Sequence, residues 1–409
     1  MYRGLGNGRL NLLTLSDRKE HSRRRRLIGR GFTDSSLREF TPELVKHINR
    51  FCASLDRASV LQSSELWSKP LNMANWCSYL TFDIMCDFVF GVSYNLIDSE
   101  EHRHVVDDIE DANIRATVLL WAPFLYLCRL DKRLFVKSVR GRNRYLGFLN
   151  RLIKDSSARE VRKYDIFAYL NSLKGSNEEE ALDHRQVLSE SSVLVVAGYD
   201  TTATALCAVL FYLTRNPHAY SKLATEIRSR FTPTDPIVSL RDLENTPYLT
   251  ACIDEALRMS PSVTSCLFRE VGSGGVTIDD HFIPPKTLIG SGIYSLHHNP
   301  ANYERANEFI PERWLDDEQC ASANPKSAFS PFSTGPRACI GKSLALMELS
   351  MTVAVLLARY DLKVAVGEAG LLGAGDVLAG PGRGNPVEFQ RYDKITCAKR
   401  GPLIQLRRL

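Results

Sequence analysis

A single apolar segment, residues 192–213, constrains the fold of this chain more than any other part of its sequence. The segment, SVLVVAGYDTTATALCAVLFYL, is long enough to span a bilayer as a helix, but Asp200 and several threonines lie near its centre, where a charge is costly in lipid. Its flanks are apolar on all sides, which favours a buried helix crossing a large protein core. At 409 residues the chain is long enough to enclose such a helix.

The hydrophobic pattern elsewhere predicts one mainly helical domain with a small β part. Apolar residues recur with a period near 3.6 before residue 258, as amphipathic helices require, and short β-branched runs broken by Gly, Asp-Asp and Pro-Pro follow it. No repeat or linker divides the chain. We therefore predict an α+β fold in one domain, 1–409, with these parts: a helical body at about 17–260, with helices near 17–30, 35–56, 71–91, 102–120, 132–155 and 184–215; small strands and coil at about 263–340; a last long helix at about 342–358; and a tail of strands and loops at 360–409.

Charge and cysteine usage exclude several function classes. The net charge of +5 is mild, and the basic run Arg23–Arg26 has no interleaved aromatics, so we expect a solvated positive face there and no nucleic-acid partner. The ten cysteines form no Cys-x-x-Cys pair, which argues against a structural zinc site and a disulfide framework and favours a reducing compartment. The start, MYRGLGNGRLNLL, has neither a signal-peptide layout nor a long apolar anchor, so we expect no membrane span in this chain.

The stretch FSTGPRACIG, residues 332–341, places one cysteine just before a predicted helix. The helix N-terminus favours a thiolate at Cys339, Gly335 and Gly341 allow a tight turn and close approach to a flat ligand, and Arg337 suits a carboxylate. An isolated cysteine is more often a buried structural residue. The five-residue pattern Phe-x-x-Gly-x-Arg-x-Cys-x-Gly is nevertheless highly specific, and it favours a ligand.

The stretch AGYDTTATAL, residues 197–206, interrupts the apolar helix. Gly198 costs about 1 kcal/mol relative to alanine in a helix interior. Threonines bonding back to the helix and an aspartate on a solvent face are the structural alternative, but the apolar flanks leave Asp200 little access to water. A weakened helix with a carboxylate and a hydroxyl at its middle suits a site that binds a small molecule and passes protons to it.

Two further charged pairs are uninformative alone. Glu255 and Arg258 share a helix face, and Arg313 lies downstream in FIPERW; such groups are usually solvated, but a buried triad of this kind would be structural. His21 and Arg25 also share a helical face, and they matter only if an anionic group lies near.

In this order, the four segments resemble the cytochrome P450 family of haem-thiolate monooxygenases. The cysteine loop, Ala-Gly-x-Asp-Thr-Thr, Glu-x-x-Arg and Pro-Glu-Arg-Trp all match the family pattern, and the resemblance runs from His21 to the tail. The stretches GIYSLHHNPANYERANEFIPERWL and DRKEHSRRRRLIGRGFTDSSL most resemble enzymes of filamentous fungi, which often modify secondary metabolites.

The resemblance implies a haem b cofactor whose axial iron ligand is Cys339, a thiolate that favours O–O cleavage. Thr201 would hydrogen-bond the activated oxygen, and Asp200 would relay protons to it. The other implied haem contacts are Phe332, Gly335, Gly341 and Gly198, with Arg337 and Arg269 at the propionates and His21 and Arg25 where the family usually has Trp-x-x-x-Arg. The implied structural triad is Glu255, Arg258 and Arg313, and the implied substrate pocket is Leu194, Ala197, Val263, Thr264 and Leu267.

The resemblance also implies partners and a location. O₂ and an apolar small molecule would be the substrates, with electrons from NADPH through a reductase at the cytosolic face of the endoplasmic reticulum. Family members from eukaryotes normally begin with an anchor, two helices and the first strands, which this chain lacks, so it could instead be soluble and cytoplasmic. Two alternatives stay open: a truncated remnant that does not retain haem, and a haem-thiolate isomerase or dehydratase that needs no external electrons. Such isomerases tend to lose the Asp-Thr pair that this chain keeps.

Overall fold

The structure is a computed structural model that describes residues 10–59, 66–127, 129–158, 165–172, 182–264, 266–315 and 328–409. The helices in these ranges are α1 (Arg18–Gly29), α2 (Asp34–Ala58), α3 (Met73–Phe90), α4 (His104–Trp121), α5 (Phe124–Leu127), α6 (Leu130–Leu134), α7 (Val136–Ser157), α8 (Ile166–Ser172), α9 (His184–Arg215), α10 (Pro217–Arg228), α11 (Pro247–Met259), α12 (Ile293–His297) and α13 (Lys342–Arg359). The strands are β1 (Leu71–Asn72), β2 (Arg269–Glu270), β3 (Val276–Ile278), β4 (His281–Ile283), β5 (Leu288–Ile289), β6 (Tyr360–Val364), β7 (Arg391–Lys394), β8 (Thr396–Lys399) and β9 (Leu403–Arg408).

The apolar segment of the sequence forms the middle of α9, a helix of 32 residues. A capping box starts it: the Asp183 side chain accepts from the Gln186 N–H, and the Gln186 side chain accepts from the Asp183 N–H. The largely buried helix α3 packs along α9. By length and composition alone α9 could cross a membrane, but 72% of its most apolar 18-residue window is buried in the protein. The expected core helix is confirmed.

The helical body matches the expected pattern closely, with one break. Thr33 caps α2, since its side chain accepts from the Ser36 N–H. The helix expected at about 132–155 is divided at Phe135, whose φ of −114° and ψ of 51° are not helical, into α6 and α7. Asp131, in α6, forms a buried ion pair with Arg115 of α4.

The small β part consists of short antiparallel pairs. In the largest sheet β9 lies between β1 and β6, with Leu71 opposite Ile404 and Tyr360 opposite Arg408. Three two-stranded pairs join β2 to β5, β3 to β4 and β7 to β8. Helices with small sheets confirm the expected α+β fold.

The basic run was expected to be solvated, and for Arg24 this is wrong. Its side chain is buried, and it donates to Glu20 at 2.6 Å, to the Leu10 carbonyl oxygen at 2.7 Å and to Glu190 of α9 at 3.0 Å. Glu190 also accepts from the Leu12 N–H at 2.9 Å. A buried carboxylate on α9 thus draws one arginine of the run inward and anchors α1 to the core.

Candidate active site

The loop before α13 presents one cysteine to open space. The Cys339 N–H donates to the Phe332 carbonyl oxygen at 2.8 Å, which closes the loop, and a 3₁₀ turn spans Gly335–Arg337. Gly335 has a φ of +73° that glycine adopts without strain, and a Cβ there would meet nothing within 4 Å. At Gly341 a Cβ would reach only Phe32, at 3.5 Å.

Cys339 differs from the other thiols of the protein. Of the eight cysteines that the structure describes, it alone is exposed; six are buried and Cys266 is half-buried. The surrounding protein raises the pKa of the Cys339 thiol by desolvation, against the opposing effects of the Gly341 N–H and the cations Arg25 and Lys342. A metal ion bound to this sulfur would remove its proton. A thiol open on one side, beside a helix N-terminus, fits a haem iron ligand and does not fit a buried structural cysteine.

Positive charge from three distant segments converges on His21. The imidazole is buried, and its pKa is lowered first by desolvation and then by the nearby charges of Arg337, Arg25 and Arg269. Arg337 donates to the Leu15 carbonyl oxygen at 2.7 Å, and Arg269 to the carbonyl oxygens of Leu267 and Phe268. Three guanidinium groups around one imidazole suit the two propionate carboxylates of a haem.

The middle of α9 has one open side. Ala197 is exposed and Thr201 half-buried, although most of the helix is buried. The Thr201 hydroxyl donates to the Ala197 carbonyl oxygen at 2.7 Å, and Ser262 donates to the Thr201 carbonyl oxygen at 2.7 Å. Both bonds use carbonyl oxygens that also accept the backbone hydrogen bonds of α9. The Ser262 bond in addition connects α9 to the segment that carries Arg269.

The carboxylate of Asp200 is held by the C-terminal hairpin. It accepts from the Lys399 ammonium at 2.9 Å and from the Thr396 hydroxyl, both on β8. Both members of the ion pair are buried. Our sequence reasoning missed Lys399 and Thr396; a lysine in a short strand was the available signal, but its partner lies 199 residues earlier.

The residues of the expected substrate pocket lie on α9 and on the segment before β2. Leu194 is buried on α9, one turn before Ala197, and Val263, Thr264 and Leu267 are half-buried. The Thr264 hydroxyl lies 3.6 Å from the Cys397 sulfur, which turns it towards the tail. Ser265, within the same stretch, lies outside the described residues.

Gly198 lies against α3. A Cβ at this position would stand 2.4 Å from the Met85 sulfur and 2.9 Å from Met85 Cγ. This close packing is a structural reason for glycine, and contact of Gly198 with a cofactor stays a prediction.

Gly198→Ala is therefore expected to destabilise the protein by about 1–2 kcal/mol, because overpacking outweighs the gain of about 1 kcal/mol in helix propensity. The matched control is Gly147→Ala, an exposed position on α7 with nothing within 4 Å of the new Cβ, which should stabilise slightly. Urea unfolding of both variants checks this. A Gly198→Ala protein as stable as Gly147→Ala would contradict the packing argument.

Glu255, Arg258 and Arg313 meet as the expected buried triad. Arg258 forms two hydrogen bonds to Glu255 at 2.9 Å, and Arg313 donates to the same carboxylate at 3.1 Å. The Trp314 indole and the Ile310 N–H also donate to it, each at 2.9 Å.

Arg258 connects this triad to the coil beyond α12. It donates to the carbonyl oxygens of His297, Ala306 and Glu308 at 2.7–3.0 Å. The His297 imidazole in turn donates through Nδ1 to the Arg258 carbonyl oxygen and accepts at Nε2 from the Ser330 N–H, each at 3.0 Å. Because Ser330 lies just before the cysteine loop, the network fixes the base of that loop.

The His297 contacts predict a loss of stability in acid. Burial lowers the pKa of His297 from 6.5 to about 4, so between these values the unfolded chain binds a proton that the folded protein does not. The contribution of neutral His297 to the free energy of unfolding is complete above pH 6.5. It is lost as the pH falls towards 4, and the total loss is about 3 kcal/mol. Urea unfolding at several pH values should show a smaller decline in His297→Gln than in the wild type; equal declines would contradict the assignment.

Comparisons with known proteins identify the family. The cytochrome P450 family model matches residues 5–371. A cytochrome P450 monooxygenase of Gibberella zeae is 42% identical over 408 residues, which cover 100% of this chain and 94% of that protein. The cytochrome P450 monooxygenase poxM of Penicillium oxalicum is 39% identical, over 100% of this chain and 77% of that protein. The chain belongs to the cytochrome P450 family and is a monooxygenase of that family.

A solved structure shows the same fold. The haem domain of cytochrome P450DA superposes with a TM-score of 0.74 over 97% of this chain and 78% of that domain, at 17% identity. The family and this fold support haem as the cofactor, and the exposed Cys339 thiol and the cluster of cations described above fit that group.

Proposed function

We propose that this monooxygenase transfers one oxygen atom of O₂ to an apolar organic substrate, with electrons from NADPH through a reductase. Two electrons and two protons are consumed, so a C–H bond becomes C–OH and the second oxygen atom leaves as water. The exposed Cys339 thiol at the start of α13 is the observation that carries this proposal, because the reaction needs a thiolate-ligated haem. When bound, the haem supplies oxygen activation.

The residues around the cysteine have distinct proposed roles. Cys339 holds the iron; Phe332, Gly335 and Gly341 shape the proximal loop; Arg337, Arg269, His21 and Arg25 bind the propionates. Glu255, Arg258 and Arg313 hold the scaffold behind the loop, in one domain that spans the chain.

On the oxygen side, Thr201 is proposed to orient a proton donor through its hydroxyl, and Asp200 to supply the proton. Leu194, Ala197, Val263 and Leu267 would present an apolar surface to the substrate and exclude water, while Thr264 adds one hydroxyl. This lining fits a bulky apolar molecule with a polar group. From the family resemblance we also propose a role in tailoring secondary metabolites, at the cytosolic face of the endoplasmic reticulum.

Incubation with ¹⁸O₂, NADPH and a reductase tests the reaction. Candidate apolar substrates are first screened by the shift they cause in the haem absorption band. One ¹⁸O atom per product molecule is expected, with no product when the reductase is withheld. Turnover without the reductase would indicate an isomerase or dehydratase, and a purified chain without bound haem would indicate a remnant.

A further inference from the structure

A small polar pocket lies on the hairpin side of Asp200, formed by α3, α4, α9 and the β7–β8 hairpin. Its volume accessible to water is about 60 Å³, which accommodates several water molecules. Asp200, Thr396 and Lys399 line it together with polar residues of the neighbouring elements, among them Ser78, Glu110 and Asn113. The pocket therefore has the volume and the polar lining to hold water beside the Asp200 carboxylate.

The α4 wall of the pocket carries an acidic residue that pairs with basic residues on the hairpin wall. Glu110 of α4 accepts from Lys394 at 2.7 Å and from Arg400 at 3.1 Å, which bridges α4 to the hairpin. These cations outweigh the desolvation of Glu110, whose pKa is lowered as a result. Asp107, also in the lining, has its pKa raised by desolvation and by its acidic neighbours. The outer part of the pocket thus holds a group that can exchange protons with solvent.

Lys399 is the buried cation that faces the inner carboxylate, with its ammonium 2.9 Å from an Asp200 carboxylate oxygen. Burial alone lowers the pKa of this lysine, but the charge of Asp200, with smaller contributions from Cys207 and Cys77, raises it above its ordinary value. A buried carboxylate without this cation would favour its protonated form. The Thr396 hydroxyl adds a second hydrogen bond and fixes the orientation of the carboxylate.

We propose that this pocket is the entrance through which protons reach Asp200, and that Lys399 and Thr396 are positioning residues that hold its carboxylate at the inner end. A proton passes from pocket water to Asp200 and from Asp200 towards the Thr201 hydroxyl; two such transfers per turnover supply the protons that leave in water. The inference rests on the proposed oxygen insertion.

Infrared spectroscopy of the haem-bound protein tests the positioning of Asp200 without turnover. At neutral pH, Lys399→Met should show a protonated carboxyl band that is absent from the wild type and from the double variant Lys399→Met, Asp200→Asn. Lys399→Arg should retain the ionised carboxylate. A Lys399→Met spectrum without the new band would overturn the role of Lys399.

Turnover measurements test the pocket itself. Lys399→Met should lower product formed per NADPH consumed about 10-fold, less than the roughly 100-fold expected for loss of the acid–base group in Asp200→Asn. The matched control is Lys363→Met, a half-buried strand lysine next to Trp67. Unchanged coupling in Lys399→Met would also overturn the proposal.

Filling the pocket should slow proton entry. Asn113→Leu, in the lining, is expected to raise the solvent deuterium isotope effect on product formation at least about twofold, whereas Thr117→Leu, one turn further along α4 and outside the lining, should not. Equal isotope effects would exclude this entrance. A wild type that forms no product from O₂ and NADPH would instead refute the proposed function, and the infrared experiment would still report on the Asp200–Lys399 pair.

Discussion

Cys339→Ala is expected to abolish the red-shifted absorption band that carbon monoxide produces in a reduced haem-thiolate protein. The band requires sulfur on the iron, and Cys339 is the exposed thiol among the cysteines that the structure describes. Loss of a residue that only hydrogen-bonds a metal ligand can lower activity by about 100-fold. Cys339→Ala removes the ligand itself, so activity should fall by more than that. A carbon monoxide difference spectrum and a product assay measure both effects.

The control for this change is Cys52→Ala, on α2. The Cys52 side chain is buried, while its carbonyl oxygen, which accepts from Tyr360, is retained in the variant. It should keep the band and the bound haem. Retention of the band in Cys339→Ala would assign the iron ligand to another residue.

Glu255→Ala is expected to destabilise the protein by about 3–5 kcal/mol, the cost of removing one partner of a buried ion pair. The substitution leaves Arg258 and Arg313 without their shared carboxylate, and it removes acceptors for Trp314 and Ile310. Since Arg258 also fixes the coil before the cysteine loop, bound haem should be lost at lower urea concentration than in the wild type. Circular dichroism and the haem absorption band, followed in the same titration, measure the two losses.

Glu308→Ala is the matched control for this experiment. The Glu308 side chain forms an exposed pair with Arg305, whereas its carbonyl oxygen accepts from Arg258 and is unaffected by the substitution. Its unfolding curve should coincide with that of the wild type. If Glu255→Ala unfolded like this control, the triad would not be the structural support described above.

Local sequence signals predicted the main elements because their causes are themselves local. The period of apolar residues located α2 and α9. Spacing also placed Glu255 and Arg258 on one face of α11, but only the family resemblance indicated that Arg313 joins them. The break at Phe135 was not predicted, because no glycine or proline marks it in the sequence.

The site was predictable where the residues of a motif are adjacent, and not where they pair across the chain. The cysteine loop could be read directly, since its turn requires Gly335 at a positive φ. The Asp200–Lys399 and Arg24–Glu190 pairs could not be predicted from the sequence. A lysine or an arginine is usually a surface residue, and only the fold shows that Lys399 and Arg24 are buried. Gly198 is a third case. The sequence showed a glycine inside a helix, but it could not show that Met85 of α3 packs against it.

The order in which the chain is synthesised gives the C-terminal hairpin a particular consequence. Asp200 leaves the ribosome long before Thr396 and Lys399, its two partners, and β9 must then insert between β1 and β6. Until that happens, the carboxylate of Asp200 in the largely buried helix α9 lacks its cation, and a sheet made of early and late segments lacks its middle strand. The nascent chain therefore carries an unfinished core through most of its translation, which exposes it to aggregation. Expression yield should consequently be more sensitive to changes in residues 396–408 than their small share of the core suggests.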